Sequence, residues 1–250
     1  PSELSVDRML TALHDGVLTG DPDRKDALFG RREPEFSGPE REYIDNNDAQ
    51  NDAVNLATRA DDFALVHGPP GTGKTYTIAQ TVKAMIENGE RVLLSAFTNR
   101  AVDNALEAVR DAGVDDGAIV RVGTESGIRE DMQDLHLEEA GDPGDRISEL
   151  KDASLVAATT ASCGSRVMRE EAFDVALVDE ASQLTEPATL AAINLAERFV
   201  LVGDHEQLPP VVQAEGGQQW TEGFGSPAAA DGGTATAGDG TGTADGRTPR

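Results

Sequence analysis

Eight consecutive residues, Gly68-Pro69-Pro70-Gly71-Thr72-Gly73-Lys74-Thr75, carry the sharpest chemical signal in the chain. They match G-x-x-x-x-G-K-[ST], the Walker A pattern, in which every part serves phosphate. Glycines let the backbone wrap closely and turn its N–H groups onto phosphate oxygens. Lys74 supplies a point charge for the β- and γ-phosphates, and Thr75 offers a hydroxyl to Mg²⁺. The eight residues Gly68, Pro69, Pro70, Gly71, Thr72, Gly73, Lys74 and Thr75 are therefore expected to bind a nucleoside triphosphate. The context agrees. An apolar run, FALVH at 63–67, precedes the loop and a helical pattern follows it. The loop thus opens a helix whose N-terminus favours anions.

A second constellation lies downstream, at Phe173-Asp174-Val175-Ala176-Leu177-Val178-Asp179-Glu180, where an apolar strand ends in two carboxylates. Such a pair is common in an acidic chain, but after a phosphate loop it has a specific use. Asp179 would hold Mg²⁺ through water, because Mg²⁺ dehydrates reluctantly. Glu180 would orient or deprotonate the attacking water. A third segment, Leu201-Val202-Gly203-Asp204-His205-Glu206-Gln207-Leu208-Pro209-Pro210, brings an amide to a strand exit and stiffens it with two prolines. By itself it is only a strand end, with His205 a plain loop histidine.

GPPGTGKT, DEASQ and GDHEQLPPVV, in this order, resemble superfamily 1 helicases. The resemblance is to the 5′-to-3′ branch that includes the nonsense-mediated-decay RNA helicase and the DNA replication nuclease-helicases, and it covers about 46–212. It implies an ATP hydrolase with ATP and Mg²⁺ as cofactors and single-stranded DNA or RNA as partner. Lys74, Asp179, Glu180 and Gln207 would be catalytic, and Thr75 and Asp179 would serve the metal. Gln207 would sense the γ-phosphate, with Gln183 a weaker coupling candidate. Asn47-Asp48-Ala49-Gln50 resembles the family's Q motif, so Gln50 would read adenine. Ser95-Ala96-Phe97-Thr98-Asn99-Arg100-Ala101-Val102-Asp103 resembles motif Ia, placing Asn99 and Ala101 near strand phosphates. Ala158-Thr159-Thr160 resembles the next strand-contacting motif, through Thr159 and Thr160. The family's second RecA-like domain carries motifs IV to VI, and its arginines complete the ATP site. The 250 residues show no match to these motifs, and neither Arg247 nor Arg250 has a suitable setting. That partner domain is therefore expected from elsewhere. The alternative reading is a nucleotide-binding module without motor action. A P-loop ATPase of non-helicase type is disfavoured, because it needs neither Gln50 nor GDHEQLPP.

These residues must be positioned by a fold. Strand candidates fall at 63–67, 91–96, 118–122 (AIVRV), 154–159, 173–178 and 199–203. They are short and rich in Val and Leu, as strands buried on both faces are. Between the first two, Ile78, Val82, Met85 and Ile86 follow helical spacing; after the second, Val102, Ala105, Leu106 and Val109 do so. The alternation predicts an α/β fold with a parallel sheet, and the resemblance implies a single RecA-like P-loop domain over 46–215. Residues 1–45 read as an N-terminal helical arm, with Val6, Met9, Leu10 and Leu13 at helical spacing, then a turn-filled connector. Residues 123–150 are polar with little period and read as a small insertion or surface loops. From 216 to 250 the chain is Gly, Ala, Thr and Asp, too poor in apolar mass to offset ordering entropy, and is expected to be disordered.

Composition sets the remaining bounds. Apolar residues make up 38% and aromatics only 4%, so the core must come from Ala, Val, Leu and Ile. Asp and Glu total 46 against 21 Lys and Arg, a net charge of -25. Such an excess suits either an acidic interaction protein or, the preferred reading, a surface kept hydrated in a salt-rich cytoplasm. In that respect the composition resembles halophilic archaeal proteins. A net sum says nothing of one local face, so it does not exclude a nucleic-acid partner. Cys163 is alone, which rules out an internal disulfide, and the four histidines have no zinc spacing. The apolar runs are too short for a membrane span. The N-terminus lacks both a secretory pattern and an initiating Met, so the start is expected upstream, in a cytoplasmic protein.

Overall fold

The six apolar runs become six parallel strands: β1 (Phe63–His67), β2 (Val92–Ala96), β3 (Ile119–Val122), β4 (Leu155–Thr159), β5 (Phe173–Val178) and β6 (Ala196–Gly203). They form one sheet in the order β1-β6-β5-β2-β4-β3. The computed structural model describes residues 3–137 and 143–204, all within one compact unit, Pro1–Pro210. The expected tail and the loop bearing His205 and Gln207 lie outside the described residues.

Side chains alternate across each strand, so one sheet supports two cores. Val92, Leu94, Leu155, Leu177 and Val200 face α3 (Asp48–Arg59), α4 (Lys74–Glu87) and α5 (Asn99–Asp111). Leu93, Val156, Ala176, Val178 and Phe199 face the other layer. That layer includes α1 (Glu3–Leu13), α6 (Pro143–Asp152), α7 (Thr160–Cys163), α8 (Arg166–Arg169) and α9 (Glu186–Ile193). All five residues of β2 and all five of β4 are buried, as central strands with helices on both faces must be. Leu94 and Leu177 are each no more than 1% exposed. Burial of that kind is worth about 1.5–3 kcal/mol per side chain. Among the described residues no helix is long and apolar enough to cross a membrane.

Three expectations about elements need correction. The connector after the arm contains a helix, α2 (Pro22–Leu28), capped by Asp21 with Pro22 in its first turn. Arg24 on α2 donates to the carbonyls of Ile193 and Ala196, tying the arm to the α9–β6 corner. The polar stretch after β3 is not a set of surface loops. It folds in 3-10 turns that bury Ile128, Met132 and Leu135, and α6 buries Leu150. Finally, β6 starts at Ala196, not at 199. Arg198 is nearly buried there, because Glu90 Oε1 and Ala57 O accept its N–H groups. A strand that buries an arginine does not read as apolar.

Candidate functional site

The phosphate loop joins β1 to α4 at the C-terminal end of the sheet, where open α/β folds bind their ligands. Gly73 precedes α4 with φ 78° and ψ 25°. A Cβ there would lie 2.3 Å from Gln50 Nε2, so left-handed backbone and close contact both require glycine. Thr72 Oγ1 donates to Pro69 O at 2.7 Å, closing the loop on itself. Gly68 N donates to Gly203 O at 2.9 Å, which ties the start of the loop to the end of β6. Gln50 lies in the first turn of α3, whose N-cap Asn47 accepts from Gln50 N at 3.1 Å. Gln50 Nε2 reaches Thr72 O at 2.7 Å. The Asn47–Gln50 segment and the phosphate loop are thus in contact. A cavity of about 320 Å³ opens between them, lined by Asn47, Gln50, His67, Thr72, Lys74 and Ile78 among others. That volume lies at the lower end of the range for small-molecule sites.

β5 delivers the acidic pair to the same place. Asp179 is 7% exposed, and its backbone N donates to Ser95 O at 2.8 Å. Lys74 Nζ lies 2.9 Å from Asp179 Oδ1, so the structure brings loop lysine and strand-end carboxylate together. Glu180 has φ 54° and ψ 31° and is the non-glycine residue with positive φ among those described. A local contact, Glu180 N to Asp179 Oδ1 at 2.7 Å, supports this turn. Burial, then the charge of Asp179, pushes the Glu180 carboxyl above the ordinary carboxylate range, while Lys74 pulls it back. Thr75 and Asp179 supply hard oxygen donors, the set that suits Mg²⁺. Among the described residues no cluster of three or more His, Cys, Asp or Glu could hold a metal.

Next to this site, at the ends of β2 and β4, lie the residues expected to meet a strand. Asn99 and Ala101 occupy the first turn of α5, where Thr98 Oγ1 accepts from Ala101 N at 3.2 Å. Phe97 is 54% exposed, and Arg100 is exposed with no ion pair among the described residues. Thr159 and Thr160 are buried, and Thr159 Oγ1 caps α7 by accepting from Ser162 N at 3.2 Å. The Thr159 hydroxyl therefore builds the turn and is not presented at a surface. Gln183 follows the acidic pair in a short 3-10 turn, while Gln207 lies outside the described residues.

The sequence reading does not single out Arg121 and Asp103, which form a fully buried ion pair at 2.8 Å beside Asn99. A signal was present: an arginine inside AIVRV must find a buried partner. His67 and Asp204, 3.2 Å apart at the ends of β1 and β6, also flank the nucleotide site without having been foreseen as a pair.

The AAA domain family matches residues 45–143 and 144–215. The DNA replication ATP-dependent helicase/nuclease DNA2 of Saccharomyces cerevisiae is 36% identical over 66% of this chain and 11% of its own length. The corresponding JHS1 protein of Arabidopsis thaliana is 35% identical over 68% of this chain and 12% of its own. DNA2 of Homo sapiens is 34% identical over 66% of this chain and 16% of its own. The chain thus spans a small part of the length of these relatives. With a family match over more than half of its residues, and with the phosphate loop and DEASQ segment in place, the chain belongs to the AAA domain family, as a nucleotide-binding domain of superfamily 1 helicase type.

Proposed function

We propose that this domain binds and hydrolyses Mg·ATP as the first motor domain of a helicase that moves along single-stranded nucleic acid. The observation that carries the reading is the Lys74–Asp179 contact at 2.9 Å, made across the mouth of the sheet beside Glu180. Gln50 and the adjoining cavity would select adenine. Lys74 and the loop's N–H groups would hold the phosphates, with Thr75 and Asp179 holding Mg²⁺. Bound there, the metal would neutralise phosphate charge. Glu180 would accept the proton of the attacking water. Gln207 would sense the γ-phosphate. A second RecA-like domain would close the nucleotide from the other side.

The strand would run over the ends of β2 and β4. Arg100 supports this reading: in a chain of net charge -25 it is a cation with no carboxylate partner among the described residues, next to the exposed ring of Phe97. Cations and aromatic faces together suit single strands. Asn99 and Ala101 would meet phosphates, and Thr159 and Thr160 would contribute through the turn they shape. Calorimetric titration with Mg·ATP in high KCl tests the nucleotide assignment. Lys74→Ala should abolish the binding that the wild-type chain shows; equal binding by the two would overturn the site.

A further inference from the structure

Arg121 is the largest fully buried side chain among the described residues, set in the middle of β3. Nε donates to Asp103 Oδ1 at 2.8 Å, and Nη1 to Val122 O at 2.6 Å. Nη2 donates to Asn99 Oδ1 at 2.8 Å. The other oxygen of Asp103 accepts from Arg129 N at 3.0 Å, which fastens the turn after β3 to α5. A guanidinium has donors only, so it can be met only by the oxygen of the Asn99 amide. Asn99 Nδ2 must then point elsewhere. It lies against Gly127, where a Cβ would come within 2.6 Å of it, and it makes no hydrogen bond to any described residue.

We propose that Arg121 is a positioning residue for strand binding: it locks the Asn99 amide so that the Nδ2 donor pair is presented to a phosphate oxygen of a single strand. The proposal rests on the strand-binding reading of the β2–α5 turn. Phosphate oxygens only accept hydrogen bonds. An amide free to flip would offer them its carbonyl as readily as its nitrogen, and the carbonyl repels them. Locking the flip therefore converts a neutral, ambiguous side chain into a dedicated donor. This also gives the buried Arg121–Asp103 pair a use. Dehydrating two charges is costly, and an apolar pair could fill the same space. Apolar groups could not fix which end of the amide faces β3 and which faces Gly127. Gly127 completes the arrangement by leaving room for the nitrogen.

The test uses the full 250-residue chain and fluorescein-labelled oligothymidylate and oligouridylate, titrated by anisotropy across a KCl series. Thermal midpoints are measured in parallel. Asn99→Asp keeps an oxygen facing Arg121 and replaces Nδ2 by an oxygen. It should leave the midpoint no lower than wild type yet weaken binding on the order of 10-fold or more, as losing one hydrogen bond to a charged partner does. Gly127→Ala changes no charge and should weaken binding by displacing the amide. Arg121→Lys should weaken binding too. Combined with Asn99→Ala it should add nothing, because Arg121 acts through Asn99. If wild type binds neither strand at low KCl, the strand-binding reading falls and takes this inference with it. If wild type binds and Asn99→Asp binds equally well, or the Arg121 and Asn99 effects add, only the positioning role is overturned.

Discussion

Glu180 sits in a left-handed backbone conformation between a buried aspartate and the phosphate loop. Such a conformation costs a non-glycine residue on the order of 1–3 kcal/mol and persists only when its surroundings impose it. The turn sets the carboxyl beside Asp179, and burial together with that charge raises its pKa. A base poised nearer to neutral pH takes a proton from water more readily. In the domain paired with its second half, Glu180→Gln should therefore keep ATP affinity and lose turnover by about 10²–10⁴-fold. Normal hydrolysis by the variant would remove Glu180 from the base role. The same shift has a stability consequence. The folded state holds the Glu180 proton more tightly than the unfolded chain does. Stability from this group is thus fully present below the ordinary carboxylate pKa of about 4.3 and is lost as pH rises through the raised folded value. Glu180→Gln removes that loss, so its thermal midpoint should exceed that of wild type near neutral pH and converge with it in acid. Residue types and spacing single out Lys74, Asp179 and Glu180 as candidates, because loop and strand end are short contiguous motifs, while Gln50 enters only through the family resemblance. The structure brings Lys74 to Asp179 and Gln50 to the loop. Types and spacing do not reveal the strained turn at Glu180. Nor do they reveal that Arg121 reaches Asn99, a contact that exists only once β3 is folded against α5.

The elements that carry the residues proposed to meet a strand depend on caps as much as on apolar faces. Thr98 ends the extended segment after β2 and caps α5, its Oγ1 accepting from Ala101 N. Asn99 and Ala101 begin the helix that this cap stabilises. Thr98→Ala should cost about 1 kcal/mol of unfolding free energy, read by denaturant titration in high KCl. An unchanged midpoint would mean that packing of Val102, Leu106 and Val109 alone fixes the helix start. Period and length make the central strands legible. β2, β4 and β5 are short Val- and Leu-rich runs with helices on both faces, and they fall within a residue of their expected bounds. The failures share one cause, which is charged residues lying in or beside buried segments. Arg198 lies near the start of β6 with its charge answered by Glu90, and the turns after β3 hide Ile128, Met132 and Leu135 among acidic neighbours. The three apolar residues fall at i, i+4 and i+7, but in a stretch so short and acidic that the spacing does not stand out. The short helix α2 did carry its signals, an Asp21 cap and Pro22, in a segment otherwise full of turns.

Across the whole molecule, charge dominates what the solvent sees. A net charge of -25 repels itself, and repulsion between exposed carboxylates falls as the Debye length shrinks from about 10 Å at 0.1 M salt to about 3 Å at 1 M. The thermal midpoint should therefore climb over that range of KCl and then flatten; a midpoint indifferent to KCl would show that the acidic surface does not limit stability. Catalysis is limited differently. Lys74, Thr75, Asp179 and Glu180 would all approach the nucleotide from one domain, which spans only 11–16% of the relatives compared above. Charge developing on the transferred phosphoryl group would be met on this side by Lys74 and the metal. An arginine from the facing domain is worth about 10³–10⁵ in rate in P-loop enzymes. Movement along a strand also needs two gripping surfaces that shift relative to each other, and on the proposed reading the ends of β2 and β4 would provide one. The 250-residue chain by itself should therefore hydrolyse ATP barely above background, gain little from single strands and unwind no duplex. Adding a second RecA-like domain, in the same chain or as a separate one, should restore strand-stimulated turnover. Steady-state phosphate release and a strand-displacement assay, on protein purified free of host helicases, decide the matter. Robust unwinding by the 250 residues alone would mean that one domain supplies both halves of the motor.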